Sequence, residues 1–439
     1  MLIETEVFMP LTSFQKEFIS KLISIPSVGG NPEEGAPYGL MPRKALGYFL
    51  EEASKAGFRT GVTGDRAGWV EFGQGDRLIG IVCHLDVVPE GDGWNTPPFE
   101  LTIKDDDNGN PSMYGRGIID DKGPACASFF AMKDLLDEGK VPEGYRVRLI
   151  LGTDEERTCS CVEYYSEHEE IPEFSITPDA EFPAIYCEKG LLHVEIFDKN
   201  TNGLWAEGGS APNMVPAAAR CVAGCKEIKA TGKMAHASKP ELGINAISLL
   251  ADAMEEQNID LNDYPVMKFI KDFDAKSFTG CTVTDDSGSI TSNIGVLRTT
   301  EDGISLIIDF RIPYTADKDE SVFLNLKKKA EEYGLTARID HYSPHIHKDK
   351  NSPSIHNLTK IWKEHMDRFT GFKEEYRALH TEAKAIGGGT YARYIPNTVA
   401  FGIQTPWAED QCHQANEHIP VNDFLQWIAI IKEYIETIS

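Results

Sequence analysis

Three apolar runs in this 439-residue chain end at acidic or imidazole side chains, and that pattern restricts the possible folds more than any other feature. Leu78 to Cys83 ends at His84 and Asp86, in the stretch HLDVVPEGDGW. Residues 146–151 lead into Gly152-Thr153-Asp154-Glu155-Glu156, and Phe174 to Thr177 lead into Pro178-Asp179. A short, continuous apolar run bounded by turn residues fits a strand buried on both faces. A helical stretch from about Ala125 to Leu136 separates the first run from the second. Strands alternating with helices predict an α/β sheet, and such sheets gather ligands beyond the carboxyl ends of their strands.

The rest of the pattern divides the chain. Thr12-x-x-Gln15 is a capping-box signature, with Phe14, Phe18, Leu22 and Ile25 at helical spacing until Pro26. A second helix is expected from Arg43 to Ala56, closed by Gly57. After about Cys187, apolar and polar residues alternate in Leu191 to Phe197, Lys226 to Thr231 and Gly303 to Ile312, with helices near 240–256 and 319–333. That is α+β patterning with one sheet face in water. From Thr381 a Gly-rich loop, a short strand at 398–402 and an amphipathic helix at 421–437 follow. The expected organisation is a discontinuous α/β domain, a mixed sheet flanked by helices, at 1–186 and 381–439, interrupted by an inserted α+β domain at 187–380.

Length favours about two domains, because a single core stops growing below this size. With 41% hydrophobic and 26% charged residues and no long polar tract, the composition is globular rather than disordered. A formal charge of −26 repels phosphate backbones and anionic lipid, so nucleic acid and membrane surfaces are not expected partners. The opening MLIETEVFMPLTSFQKEF lacks a basic segment followed by an apolar one, and no stretch of about 18 apolar residues occurs. A cytoplasmic location is expected. The nine cysteines are odd in number and scattered, which fits reduced thiols better than a disulfide framework.

Five clusters carry chemistry. His84 with Asp86 is either a metal-bound imidazole whose second N–H goes to a carboxylate, or a structural loop histidine bonded to an aspartate. Asp120-Asp121, between Gly117 and Gly123, is either a ligand pair or a helix start. Asp154-Glu155-Glu156 sets three acids together, which repel unless a cation neutralises them. Asp179 and Glu181 repeat the design, and His413 lies in the loop QCHQANE before the closing helix. His84, Asp120, Glu156, Asp179 and His413 together form an inventory of two imidazoles and three carboxylates. That set suits two zinc ions, with one carboxylate shared and Glu155 left as a base.

The stretches HLDVVPEGDGW, GRGIIDDKGP, GTDEER, TPDAEFP, GKMAHASKPELGINA, GGGTYAR and HQANE resemble those of the dizinc aminoacylase, carnosinase and glutamate-carboxypeptidase family, most closely its bacterial dipeptidase V branch. The resemblance runs from about residue 10 to the end, in the family's order. It implies a zinc-peptidase-like catalytic domain with an inserted lid domain. His84 and Asp179 would bind one zinc and Glu156 and His413 the other, with Asp120 bridging. Asp86 would orient His84, and Glu155 would be the general base that activates the bridging water. Manganese or cobalt are possible substitutes. A cis peptide between Asp120 and Asp121 is implied as well.

The resemblance also implies that His236 supports the oxyanion from the lid and that Asn213, Arg311 and Gly387, Gly388, Gly389 and Thr390 hold the substrate, Arg311 by its planar fork. From the residues alone, Arg311 could equally pair with Asp309, and His236 could be a surface histidine. Two departures stand out: Arg157, Cys159 and Cys161 follow Glu156 where relatives carry small or aromatic residues, and the chain is somewhat short between Asn213 and His236. The expected activity is a zinc dipeptidase cleaving short unblocked peptides. An N-acyl amino acid amidohydrolase and a catalytically inactive metal- or peptide-binding member are the alternatives. The inserted segment is large enough for two lid modules side by side, which predicts a monomer.

Overall fold

The structure is a computed structural model that describes residues 10–237 and 239–438. The first nine residues, over which no leader is expected, and Ser238 lie outside the described residues. The chain forms two compact units: Met1–Tyr186 with Lys348–Lys384 and Thr390–Ser439, and Cys187–His347 with Ala385–Gly389. Ala385–Gly389, expected in the first unit, cluster with the second, and residues 348–380, expected within the insert, cluster with the first. The reason is apolar: Trp362 of the helix Pro353–His365 is fully buried and stacks on Phe182 at 4.1 Å between ring centroids. Among the described residues no helix is long and apolar enough to cross a membrane.

The first unit is built on the strand Ala67–His84. The sequence shows two apolar runs there, at 68–72 and 78–83, because Gly73 and Gly75 interrupt the pattern. Both glycines sit at positive φ, +92° and +141°, and a Cβ at Gly75 would lie 2.2 Å from the carbonyl carbon of Gly144. The strand therefore bends and flanks Glu143–Gly152 with both its arms. Leu78 pairs with Arg146 and His84 with Gly152 in parallel register. Phe174–Thr177 lies parallel beside Ile79 to Ile81, and Thr398–Ala400 lies parallel beyond it.

Helices cover the sheet. Ser13–Ile23 starts at the expected Thr12 capping box, and Leu40–Lys55, Lys122–Asp137 and Val421–Thr437 match the expected spans within a few residues. Phe18, Phe49, Phe129 and Phe130 are buried together, with ring centroids 5.1–5.9 Å apart. Four such rings, in edge-to-face and tilted contacts, bury about 150–250 Å² each and anchor three helices to one another. Lys122–Asp137 is buried along most of its length, so it carries no polar stripe and reads as an apolar run in sequence.

The second unit holds a seven-stranded antiparallel sheet in the order Lys226–Thr231, Ala218–Ala223, Leu204–Gly208, Thr291–Thr299, Ile304–Ile312, Gly190–Asp198 and Thr336–Ser343. Gly190–Asp198 alternates buried with half-buried residues along its length, as its sequence period of two predicts. The buried face meets the helices Ala246–Glu256 and Pro265–Asp272 through a core of Leu192, Val194, Leu250, Phe269 and Leu306.

Candidate metal centre

Parallel pairing ends the strands Ala67–His84, Glu143–Gly152 and Phe174–Thr177 on one edge, and the loops that follow bring the acidic clusters together there. The His84 ring is buried. Its Nδ1 lies 3.0 Å from the main-chain oxygen of Asp86, which puts the ring proton on Nδ1 and leaves the Nε2 lone pair free. That Nε2 is 2.9 Å from Asp120 Oδ1 and 3.7 Å from Asp179 Oδ2. Despite the short separation, neither His84 Nε2 nor Asp120 Oδ1 has a hydrogen-bond partner among the described residues. Two lone pairs facing each other in a buried gap repel, and a cation between them removes the conflict.

The other oxygen of Asp120 faces the opposite way. His413 Nε2 lies 3.2 Å from Asp120 Oδ2 and 3.0 Å from Glu156 Oε2, while Glu156 Oε1 is buried without a partner. Among the described residues, His84, Asp120 and Asp179 form one group that could hold a metal ion, and Asp120, Glu156 and His413 form another. Zinc–donor distances of about 2.0–2.2 Å in a tetrahedron place neighbouring donors roughly 3.3–3.6 Å apart. Separations of 2.9–3.7 Å bracket that value, so the donor set fits divalent ions in both groups.

The chain's own charges point the same way. Burial, then the Asp120 charge, raises Asp179 to about 7, against the pull of His84. Burial, then the Asp179 charge, lifts Glu155 well above its ordinary range, and burial with Asp120 raises Glu156. Asp120 is disfavoured by burial too, yet the neighbouring His413 and His84 imidazoles hold it below its ordinary value. Two imidazoles do not compensate four clustered carboxylates, and bound cations would invert these shifts. His413 stands at φ +64°, a left-handed conformation costing about 1–2 kcal/mol outside glycine.

The acids next to these groups have specific work. The carboxylate of Asp86, expected to orient His84, lies 3.6 Å from Nδ1, and the main-chain oxygen of the same residue takes the ring proton instead. The carboxylate accepts the backbone N–H groups of Glu155 and Glu156, both at 3.1 Å, so it fixes the turn that carries those two side chains. Asp121 makes no capping bond to its helix, which is the alternative considered for this pair; its Oδ2 accepts the His84 N–H at 2.9 Å. The Asp120–Asp121 peptide is cis, as the resemblance implies.

In the second unit, Met214 pairs with His236 across two short strands, and the Ala237 N–H donates to the Asn213 main-chain oxygen at 2.9 Å, so these two expected residues are neighbours. Asn293 Nδ2 fastens this turn by donating to the oxygens of Pro212 and Met214. The Arg311 fork is engaged by Asp309, Nε to Oδ1 at 2.7 Å and Nη2 to Oδ2 at 2.8 Å, and its Nη1 donates to the Gly387 oxygen at 3.1 Å. Gly387, Gly388 and Gly389 cluster with the second unit, whereas Thr390, in the first, caps the turn Tyr391–Arg393 by accepting the Ala392 N–H.

Sequence reasoning passed over Tyr391, Arg116 and Glu417. Tyr391 packs edge-on to the His84 ring, and its hydroxyl lies 3.0 Å from Cys161 Sγ. It also explains Gly152, where a Cβ would come within 2.2 Å of that hydroxyl. Burial pushes the Cys161 thiol up to about 12, and neither Cys159 nor Cys161 belongs to a donor group. The signal for Glu417 was present in the HQANE motif, but nothing local says where its side chain goes.

Two imidazoles and a set of converging carboxylates at the carboxyl edge of an α/β sheet define a metal-dependent hydrolase. Residues 80–437 match Peptidase family M20/M25/M40. The chain is 32% identical over 444 residues to the "Putative dipeptidase YtjP" of Bacillus subtilis, covering 91% of both chains. Its fold is similar to a M20 family metallo-carboxypeptidase of Sulfolobus solfataricus, with a TM-score of 0.60 at 17% identity over 97% of this chain and 99% of that one. It is also similar to human carnosine dipeptidase 1, with a TM-score of 0.57 at 15% identity over 96% of each chain. The protein belongs to peptidase family M20/M25/M40 and is a hydrolase of the metallopeptidase class.

Proposed function

We propose that the protein is a dizinc dipeptidase that hydrolyses short unblocked peptides. The observation that carries this reading is the Asp120 carboxylate, one oxygen directed to His84 Nε2 and the other to His413 Nε2, between two donor groups that share it. His84, Asp120 and Asp179 would hold one ion and Asp120, Glu156 and His413 the other. Bound divalent ions would lower the pKa of a coordinated water toward neutrality and supply positive charge where the tetrahedral oxyanion develops.

Glu155 is outside both donor groups, and its backbone is held by Asp86. A carboxylate at that position takes a proton from the attacking water and returns it to the leaving amine. His236 is assigned to oxyanion support, and Asn213 with the Gly387–Thr390 segment to substrate binding, on the family resemblance. A monomer and a preference for dipeptides rest on the size of the inserted segment. A panel of dipeptides, tripeptides and N-acetyl amino acids, run on chelator-stripped protein with and without zinc, manganese or cobalt, tests the reading. Zinc-restored cleavage of dipeptides is the expected result, and turnover of N-acetyl amino acids alone would replace it with the amidohydrolase.

A further inference from the structure

A buried ion pair remote in sequence holds the loops of the metal centre, and neither partner is in a donor group. Glu417 is fully buried. Its Oε1 accepts the N–H of Ile119 at 2.7 Å and of Asp120 at 3.2 Å; its Oε2 accepts the N–H of Gly117 at 3.0 Å and Nη1 of Arg116 at 2.7 Å. One carboxylate thus gathers the turn from 116 to 120, whose last residue is Asp120. The Gly115 N–H adds a bond to the main-chain oxygen of Glu417 at 3.1 Å.

Arg116 reaches the third loop. Its Nη2 donates to the Glu90 main-chain oxygen at 3.1 Å, and its guanidinium lies 5.2 Å from the Trp94 ring centre. Asn416 completes the tie: its Oδ1 accepts the Asn95 N–H at 2.7 Å and its Nδ2 donates to the Gly93 oxygen at 3.1 Å. The loop after His84, the turn before Asp120 and the loop carrying His413 are therefore joined by the buried Arg116–Glu417 pair and, at the surface, by Asn416.

We propose that Glu417 is a positioning residue for the metal centre: by bonding the Asp120 N–H from a point four residues past His413, it sets the separation of those two side chains. The inference rests on the metal-centre reading above. The Asp120 backbone is fixed by Oε1 of Glu417, and the left-handed backbone of His413 is held in place by what anchors its loop at 416 and 417. Asp120 and His413 belong to the same donor group, whereas Asp179 belongs only to the other, and among the described residues no bond joins it to Glu417 or Arg116. Loss of the carboxylate thus loosens the Asp120, Glu156 and His413 group first. A pair serving only the fold would affect stability and leave the relative strength of the two groups unchanged.

The test is stepwise zinc titration of metal-free, full-length protein against a chromophoric chelator, with a thermal melt of each metal-free variant. Glu417→Gln keeps the shape of the side chain, removes its charge and turns an amide N–H₂ toward donors. Removal of a partner that orients a ligand weakens metal affinity by about 10- to 100-fold. The expected result is a weakening of that size in the zinc equivalent that His413→Ala also loses, with a clearly smaller fall in the other equivalent, which shares only Asp120. Glu417→Asp, which keeps the charge one methylene short, falls between the two. If Glu417→Gln does not fold, Arg116→Lys decides, since it keeps the charge but loses the fork, and the same selective weakening is expected. Glu433→Gln, at the His365 Nε2–Glu433 Oε2 pair of 2.8 Å, is the control and should leave both equivalents unchanged. Unchanged zinc affinities in Glu417→Gln or, failing that, in Arg116→Lys, or an equal fall in both equivalents that follows the melting temperature, would overturn the proposal. Wild-type protein that binds no zinc overturns the metal-centre reading itself.

Discussion

Asp86→Asn separates two accounts of how this centre is held. The carboxylate is buried and accepts the N–H groups of Glu155 and Glu156, one on each oxygen at 3.1 Å, while the main-chain oxygen of Asp86 serves His84. Asparagine is isosteric but offers a single oxygen. One N–H loses its acceptor and faces an amide N–H₂, which forfeits a charge-assisted bond of about 1.5–3 kcal/mol. The other bond becomes neutral, a further loss of about 1 kcal/mol. The sum is roughly 2.5–4 kcal/mol, concentrated on the turn that aims Glu155 and Glu156. The expected signature is local: faster amide exchange in a peptide spanning 153–158, a lower melting temperature, and turnover reduced by about 10- to 100-fold. Hydrogen exchange by mass spectrometry, read on metal-free protein, measures the first directly. If the 153–158 peptide exchanges as in the wild type while turnover falls, the Asp86 carboxylate acts through His84, and the hydrogen-bond reasoning is wrong.

Glu155→Gln should reduce turnover by about two to four orders of magnitude while both zinc equivalents remain, as elemental analysis after dialysis would report; loss of metal would make Glu155 a ligand. Asp120→Ala should lose both ions and His413→Ala one, so two equivalents retained by Asp120→Ala would exclude the shared carboxylate. Chelation should abolish activity and added zinc restore it, whereas a chelator-resistant enzyme would point to thiol chemistry. His236→Ala should lower turnover with unchanged metal content. Mixing it with Glu155→Ala should restore nothing if the protein is a monomer, and light scattering gives the mass independently.

The sequence displays what is periodic or abrupt. His84 and Asp179 were legible because each interrupts or follows an apolar run, and Asp120 because two adjacent acids between glycines are unusual. The paired strand ends needed only the α/β rule to become a single edge. What stayed hidden depends on contacts between distant residues. Arg116 and Glu417 are ordinary charges in sequence and become a buried pair only when residues 301 positions apart meet. Asp86 is legible as a partner of His84, but which of its atoms serves the ring is not, since a carboxylate two residues from a histidine can bond the ring or turn toward other amides, and only the fold chooses. The Arg311 alternative turned on geometry in the same way: its side chain points along the strand to Asp309, two residues away on the same face. Residues 348–380 fall in the first unit rather than the insert because Trp362 and Phe182 stack, a match of shapes that hydropathy does not encode.

The first unit is discontinuous, and that has a consequence for biosynthesis. A ribosome adds about 5–20 residues per second. The 293 positions between Asp120 and His413 therefore take roughly 15–60 s to emerge, whereas residues 187–347 of the second unit form an almost continuous segment that can collapse as soon as it is free. During that interval the nascent chain has made His84, Asp120, Glu156 and Asp179 but has no His413 and no Glu417. The site is completed only when residues 413–417 have emerged, so a product truncated or stalled before them carries most of the acidic donors without the loop that would finish it.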